Sequence, residues 1–162
     1  MNEILAQCRD MPERHFAAGA DVLLEGSRTG VVYILIEGEV EVLKGDIQVT
    51  TAAEPGAFFG EMSALLDAPH TATVRALSPT RFYVAENAVA FLQSSPQIAL
   101  AIARLLANRQ QAMTSYLADI KSQFEDQADH MAMVDAVLET LVHHQDEEQI
   151  PGSDRDPDPN VY

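Results

Sequence analysis

The feature that most constrains this chain is a change of hydrophobic period close to residue 86. Before it, short β-branched and aromatic runs recur between turns: Val31-Val32-Tyr33-Ile34-Leu35-Ile36, Glu39-Val40-Glu41-Val42, Ile47-Gln48-Val49-Thr50, Thr73-Val74-Arg75-Ala76-Leu77 and Arg81-Phe82-Tyr83-Val84-Ala85. Their composition and alternation predict strands. Lys44-Gly45-Asp46 reads as a hairpin turn and Glu54-Pro55-Gly56 as another. Evenly spaced short strands with glycine turns predict a small β-roll or barrel over residues 14–86. After residue 86 the period is helical, so the fold class is α+β, a roll followed by helices.

The helical half has a clear start. Residues 87–92 form one short helix, and Ser94-Ser95-Pro96 opens the next, with Ser95 at the N-cap and Pro96 at the first helical position. Between Pro96 and Gln145 no further proline or glycine occurs, and Met113, Leu117, Ile120, Phe124, Met131, Val134, Leu138 and Leu141 are spaced alternately by four and three, with Gln127 in the one missing slot. That is a heptad seam. It fits a pair of helices folded against the roll and split near residues 125–129. It fits better one long helix, or two, that pair with a second copy of the chain, and the broad stripe widened by Val137 and Val142 favours a bundle-like homodimer over an extended two-stranded coil. A short amphipathic helix is expected over residues 2–10. The domain plan is therefore an N-terminal helix and roll over 1–95, a helical lid or dimerisation region over 96–145, and an acidic tail over 146–162. That tail carries Pro151, Pro157 and Pro159 and has little to bury.

Charge narrows the function. The 162 residues carry a formal net charge of −15, with Lys and Arg scattered. A nucleic-acid-binding face needs clustered cations to replace counterions on phosphate, so nucleic acid and anionic membrane are not expected partners. No apolar run reaches bilayer length, the N-terminus lacks the pattern of a secretory signal, and Cys8 has no second cysteine to pair with. These point to a cytoplasmic protein.

Residues 59–76 carry the chemistry. Phe59-Gly60-Glu61-Met62-Ser63 joins a glycine turn to a carboxylate and a short apolar helix, and Pro69-His70-Thr71-Ala72-Thr73 follows. Gly60 permits close backbone approach to a ligand. Amides that open a helix favour an anion, Glu61 can accept from a sugar hydroxyl, and Thr71 and Thr73 can donate to phosphate oxygens. Glu61 equally suits the N-terminus of the helix it begins, and Thr73 suits a strand.

This segment resembles the phosphate-binding cassette of cyclic nucleotide-binding domains, and Phe16, Gly19, Gly26, Tyr33, Gly38, Val40 and Pro55-Gly56 fit the strand rhythm of the same family's β-roll. The resemblance covers residues 12–120. It implies a catabolite-activator-like roll whose ligand, cyclic AMP or cyclic GMP, is held by Phe59, Gly60, Glu61, Met62, Ser63, His70, Thr71 and Ala72. In that family Glu61 meets the ribose 2′-hydroxyl. The resemblance also implies a lid from the helix after Pro96, with Arg104, Asn108, Gln111 and Tyr116 as candidates. Family members that regulate transcription carry a helix-turn-helix after their long helix, whereas this sequence runs into the acidic tail.

One position departs from the family pattern. The usual arginine after the proline is His70. Arginine offers a permanent charge and a two-pronged fork for phosphate, while histidine is shorter and partly charged near neutral pH. As a phosphate donor His70 would therefore be weaker and pH-sensitive. Arg75 is no obvious replacement. No lysine-bearing phosphate loop, glycine-flanked serine or paired cysteines are present, and phosphoryl chemistry needs metals or strong cations. The expectation is a non-catalytic sensor with no cofactor and no metal site, signalling to a protein partner. The alternative is a ligand-free, dimeric adaptor built on the same fold.

Overall fold

The structure, a computed structural model, describes residues 3–123 and 128–143. Phe124, Gln127, His144 and the acidic tail expected over 146–162 lie outside the described residues. The order is α1 (Glu3–Gln7), β1 (Glu13–Phe16), β2 (Asp21–Leu23), β3 (Val32–Glu37), β4 (Val40–Lys44), β5 (Ile47–Ala52), β6 (Phe58–Phe59), α2 (Glu61–Leu66), β7 (Thr73–Ala76), β8 (Thr80–Ala85), α3 (Ala88–Gln93), α4 (Pro96–Gln123) and α5 (Ala128–His143). The strands form two antiparallel four-stranded sheets, ordered β1-β8-β3-β6 and β2-β7-β4-β5.

Two cores explain the unbroken apolar run of β3. Val32 and Ile34 join Cys8, Phe58, Ala85, Ala88, Leu92, Ile98 and Ile102 on the helical side of the first sheet. Tyr33 and Leu35 point the other way, into the roll, with Val22, Leu23, Val40, Phe59, Val74, Phe82 and Val84. A strand buried on both faces must be apolar along its buried length, and β3 is from Val32 to Ile36, where the exposed Glu37 ends it. Phe16, Tyr33 and Phe59 each set a ring edge-on to Phe82, at 5.6–6.1 Å between centroids, a geometry that aromatic quadrupoles favour. Thus the residue immediately before Gly60 is anchored in the roll.

The helix signals read from the sequence are in place. The Ser95 hydroxyl accepts from the Gln97 amide at 3.2 Å, Pro96 opens α4, and Asn87 caps α3 by accepting from the Ala90 amide at 3.0 Å. The first helix is shorter than the 2–10 expected, ending at Gln7. Two compact units divide within α4, between Leu106 and Ala107. In the second, Gln110 donates to the Leu141 carbonyl at 2.9 Å and Lys121 pairs with Asp135. These bonds tie the start of that unit's α4 segment to the end of α5 and its end to the middle of α5, so the two run antiparallel.

Candidate functional site

The cassette is built around a glycine that nothing else can replace. Gly60 has φ +92°, and a Cβ there would sit 2.5 Å from the Val31 carbonyl oxygen, 3.4 Å from Leu23 Cδ1 and 3.5 Å from His70 Cε1. This left-handed residue turns the chain from β6 into α2. Glu61 is then the first residue of the helix and only 2% exposed. A carboxylate at that end is favoured by the helix dipole. Asp67 ends the helix at φ +46°, a conformation Asp tolerates better than most. Ser63 Oγ donates to the Ala68 carbonyl at 2.5 Å, and Arg28 donates to the Asp67 carbonyl at 2.9 Å, a cation where the helix's last carbonyls collect.

His70 is not an open donor. It is 5% exposed, and its Nε2 lies 2.8 Å from Thr29 Oγ1. Its amide donates to the Ser27 carbonyl at 2.9 Å and its carbonyl accepts from the Gly26 amide at 2.8 Å. Side chain and backbone together fasten the 26–29 loop to the cassette. Burial disfavours the imidazolium and holds the His70 pKa below the ordinary histidine value.

The other residues expected at the site divide. Gly60, Glu61 and His70 are brought together at the turn, and Thr71 stands exposed beyond them. Ala72 is half-buried. The Phe59 ring is committed to the core, the Met62 side chain is 39% exposed, and the Ser63 hydroxyl serves its own helix. Arg75 pairs with Asp21 at 2.7 Å. Arg104 belongs to the first compact unit, and Asn108, Gln111 and Tyr116 to the second.

Three residues at the site were not singled out from sequence. Thr29 holds His70. Lys44, at the end of β4, donates to the Thr71 carbonyl at 2.8 Å and to Glu25 Oε1 at 2.5 Å. Glu25 also accepts from the Gly45 amide at 2.8 Å, and its own amide donates to Thr73 Oγ1 at 3.0 Å. The Lys44 hydrogen bond first, then the Gly45 amide, hold the Glu25 carboxyl below its usual pKa. A cavity of about 320 Å³ opens on the far side of the cassette helix, against Arg28, Ser63, Asp67, Glu86, Asn87 and Val89, and includes none of Gly60, Glu61, His70 or Thr71. Among the described residues no group of three His, Cys, Asp or Glu could hold a metal ion, and no helix is long and apolar enough to cross a membrane.

Comparison with known proteins agrees with this fold. The family model for the cyclic nucleotide-binding domain matches residues 13–93. An uncharacterized ABC transporter ATP-binding protein of Mycobacterium tuberculosis is 38% identical over 72 residues, covering 41% of this chain and 22% of that protein. The chain thus spans about a fifth of the length of such relatives. In fold it is similar to the catabolite activator protein of Thermus thermophilus (TM-score 0.63, 22% identity, 75% of this chain and 60% of that one). It is also similar to a protein solved in work on a cyclic-GMP-dependent signalling pathway in bacterial phytopathogenesis (TM-score 0.57, 25% identity, 67% and 92%).

Proposed function

The chain belongs to the cyclic nucleotide-binding domain family, and from that premise we propose that it is a non-catalytic, cytoplasmic sensor. Cyclic AMP or cyclic GMP docks at the Gly60 turn, and the helices after Ser95 carry the signal to a protein partner. The observation that carries this reading is the cassette itself: a left-handed glycine pressed against the Val31 carbonyl, with the Glu61 carboxylate buried directly after it. That turn presents backbone amides and one acceptor to a sugar-phosphate. A ligand can act on the helices only through a preference for one of their arrangements.

Isothermal titration with cyclic AMP and cyclic GMP, at pH 6 and pH 8, tests the reading. Saturable binding to either nucleotide supports it. No heat with either at high protein concentration refutes it.

A second reading, a ligand-free adaptor acting as a homodimer through its C-terminal helices, is favoured by one observation. Met113, Tyr116, Met133 and Val137 leave 41–65% of their surface exposed on the helical unit, apolar surface that a second copy would cover. Sedimentation at rising concentration tests it, and a monomer throughout refutes the dimer.

A further inference from the structure

We propose that Lys44 supplies the positive charge for the phosphate of the cassette's ligand, in the role that the family assigns to an arginine at the position of His70. The inference rests on the nucleotide-binding reading above. Lys44 is singled out by where each cation of the roll is engaged. Arg14 bonds the Tyr33 hydroxyl, Arg28 caps α2, Arg75 pairs with Asp21, and Arg81 with Glu13 and Glu37. Lys44 alone among these is hydrogen-bonded to the cassette's phosphate end, at the Thr71 carbonyl.

Its approach follows from the strand. β4 pairs with β7 in register from Val40 to Leu43, while its pairing with β5 shifts between Val42 and Leu43 and ends with Lys44 opposite Ile47. Lys44 thus sits at the open end of the strand, with its side chain 60% exposed and its ammonium turned to the Thr71 carbonyl. The ammonium has three donors. One goes to Thr71 and one to Glu25, which leaves a third for an anion. Glu25 is the built-in competitor. Held by the Gly45 amide as well as by Lys44, it occupies the ammonium while no ligand is present, and an entering phosphate takes over that bond. His70, latched to Thr29, stays out of the exchange.

The test is titration of the full chain with cyclic AMP and cyclic GMP, comparing Lys44→Met, Lys44→Arg, Glu25→Gln and Arg81→Gln. Lys44→Met should weaken binding about tenfold to a hundredfold, the usual range for one charge-assisted contact. Lys44→Arg should recover most of it. Arg81→Gln removes the same charge outside the cassette segment, from a residue paired with Glu13 and Glu37, and should change affinity less than about twofold, since surface charges at a distance are screened. Glu25→Gln removes the competitor and should tighten binding about threefold to tenfold. That variant decides the matter if Lys44→Met proves unfolded. Wild-type binding left unchanged by both Lys44→Met and Glu25→Gln overturns this inference and leaves the nucleotide reading standing. Absence of binding by the wild-type chain overturns both.

Discussion

Replacing Gly60 by alanine tests whether the cassette turn is fixed by backbone geometry. Two costs are separable. The first is conformational: an L-residue at φ +92° pays about 1–2 kcal/mol that glycine does not. The second is steric. The new Cβ would sit 2.5 Å from the Val31 carbonyl oxygen, so the two backbones must part by at least about 0.5 Å to reach even the shortest contacts such atoms make. Both belong to main chain, where no side-chain rotation gives relief. Displacement of that size strains the start of β3 and the first turn of α2, adding about 1–2 kcal/mol of the kind seen for overpacked sites. The total is about 2–4 kcal/mol. Gly19 supplies the control, since it has φ +84° with nothing within 4 Å of its would-be Cβ. Gly19→Ala should therefore lose the conformational part alone. Urea unfolding of both variants reads the difference. If they lose equal stability, the contact with Val31 does not constrain the turn and the reasoning fails. Gly60→Ala should also lose nucleotide affinity, because the buried Glu61 carboxylate moves with the turn.

Four further outcomes are expected. Burial holds the His70 pKa in the folded chain below its ordinary value near 6.5, so as pH falls through that value the unfolded chain takes up more protons than the folded one. Stability should drop through that window by at most about 1.4 kcal/mol per pH unit, and a His70→Gln variant with the same slope between pH 7.5 and 5.5 contradicts the assignment. Nucleotide affinity should differ by less than about threefold between pH 6 and pH 8, because His70 is bonded to Thr29 rather than to the ligand; a tenfold loss at pH 8 would return His70 to the phosphate. The Thr80 hydroxyl is buried without a hydrogen-bond partner among the described residues, so Thr80→Val should leave thermal stability unchanged or raise it by up to about 1 kcal/mol, and a clear loss would reveal a partner. The Cys8 thiol is fully buried, and burial pushes its pKa up, so a thiol reagent should label the native chain slowly and the urea-unfolded chain at once.

The architecture was legible wherever a signal was local. β3 and β8 announce themselves by unbroken apolar and aromatic runs, the start of α4 by Ser95 and Pro96, and the cassette by a glycine followed by a carboxylate. β6 has two residues, too few to show a period. At the site, the turn at Gly60 and the helix start at Glu61 could be read directly because both are set by neighbours in the chain. Lys44, Glu25 and Thr29 could not. Lys44 meets Thr71 across 27 residues, Glu25 meets Lys44 across 19, and Thr29 meets His70 across 41. Such pairings are products of sheet register and loop closure, which no window of sequence contains. His70 shows the limit from the other side. Its position in the motif pointed to an open donor, and burial against Thr29 gives the side chain a different occupation.

That occupation is a local latch. An arginine placed at residue 70 would give up the bond to Thr29, yet the exposed Thr29 hydroxyl would keep the Val31 amide and turn its free side to water. The two backbone bonds at residue 70, to Ser27 and Gly26, do not depend on the ring and would still close the 26–29 loop onto the cassette. The loop is thus fastened twice, and only one of the two fastenings can be lost by changing a side chain.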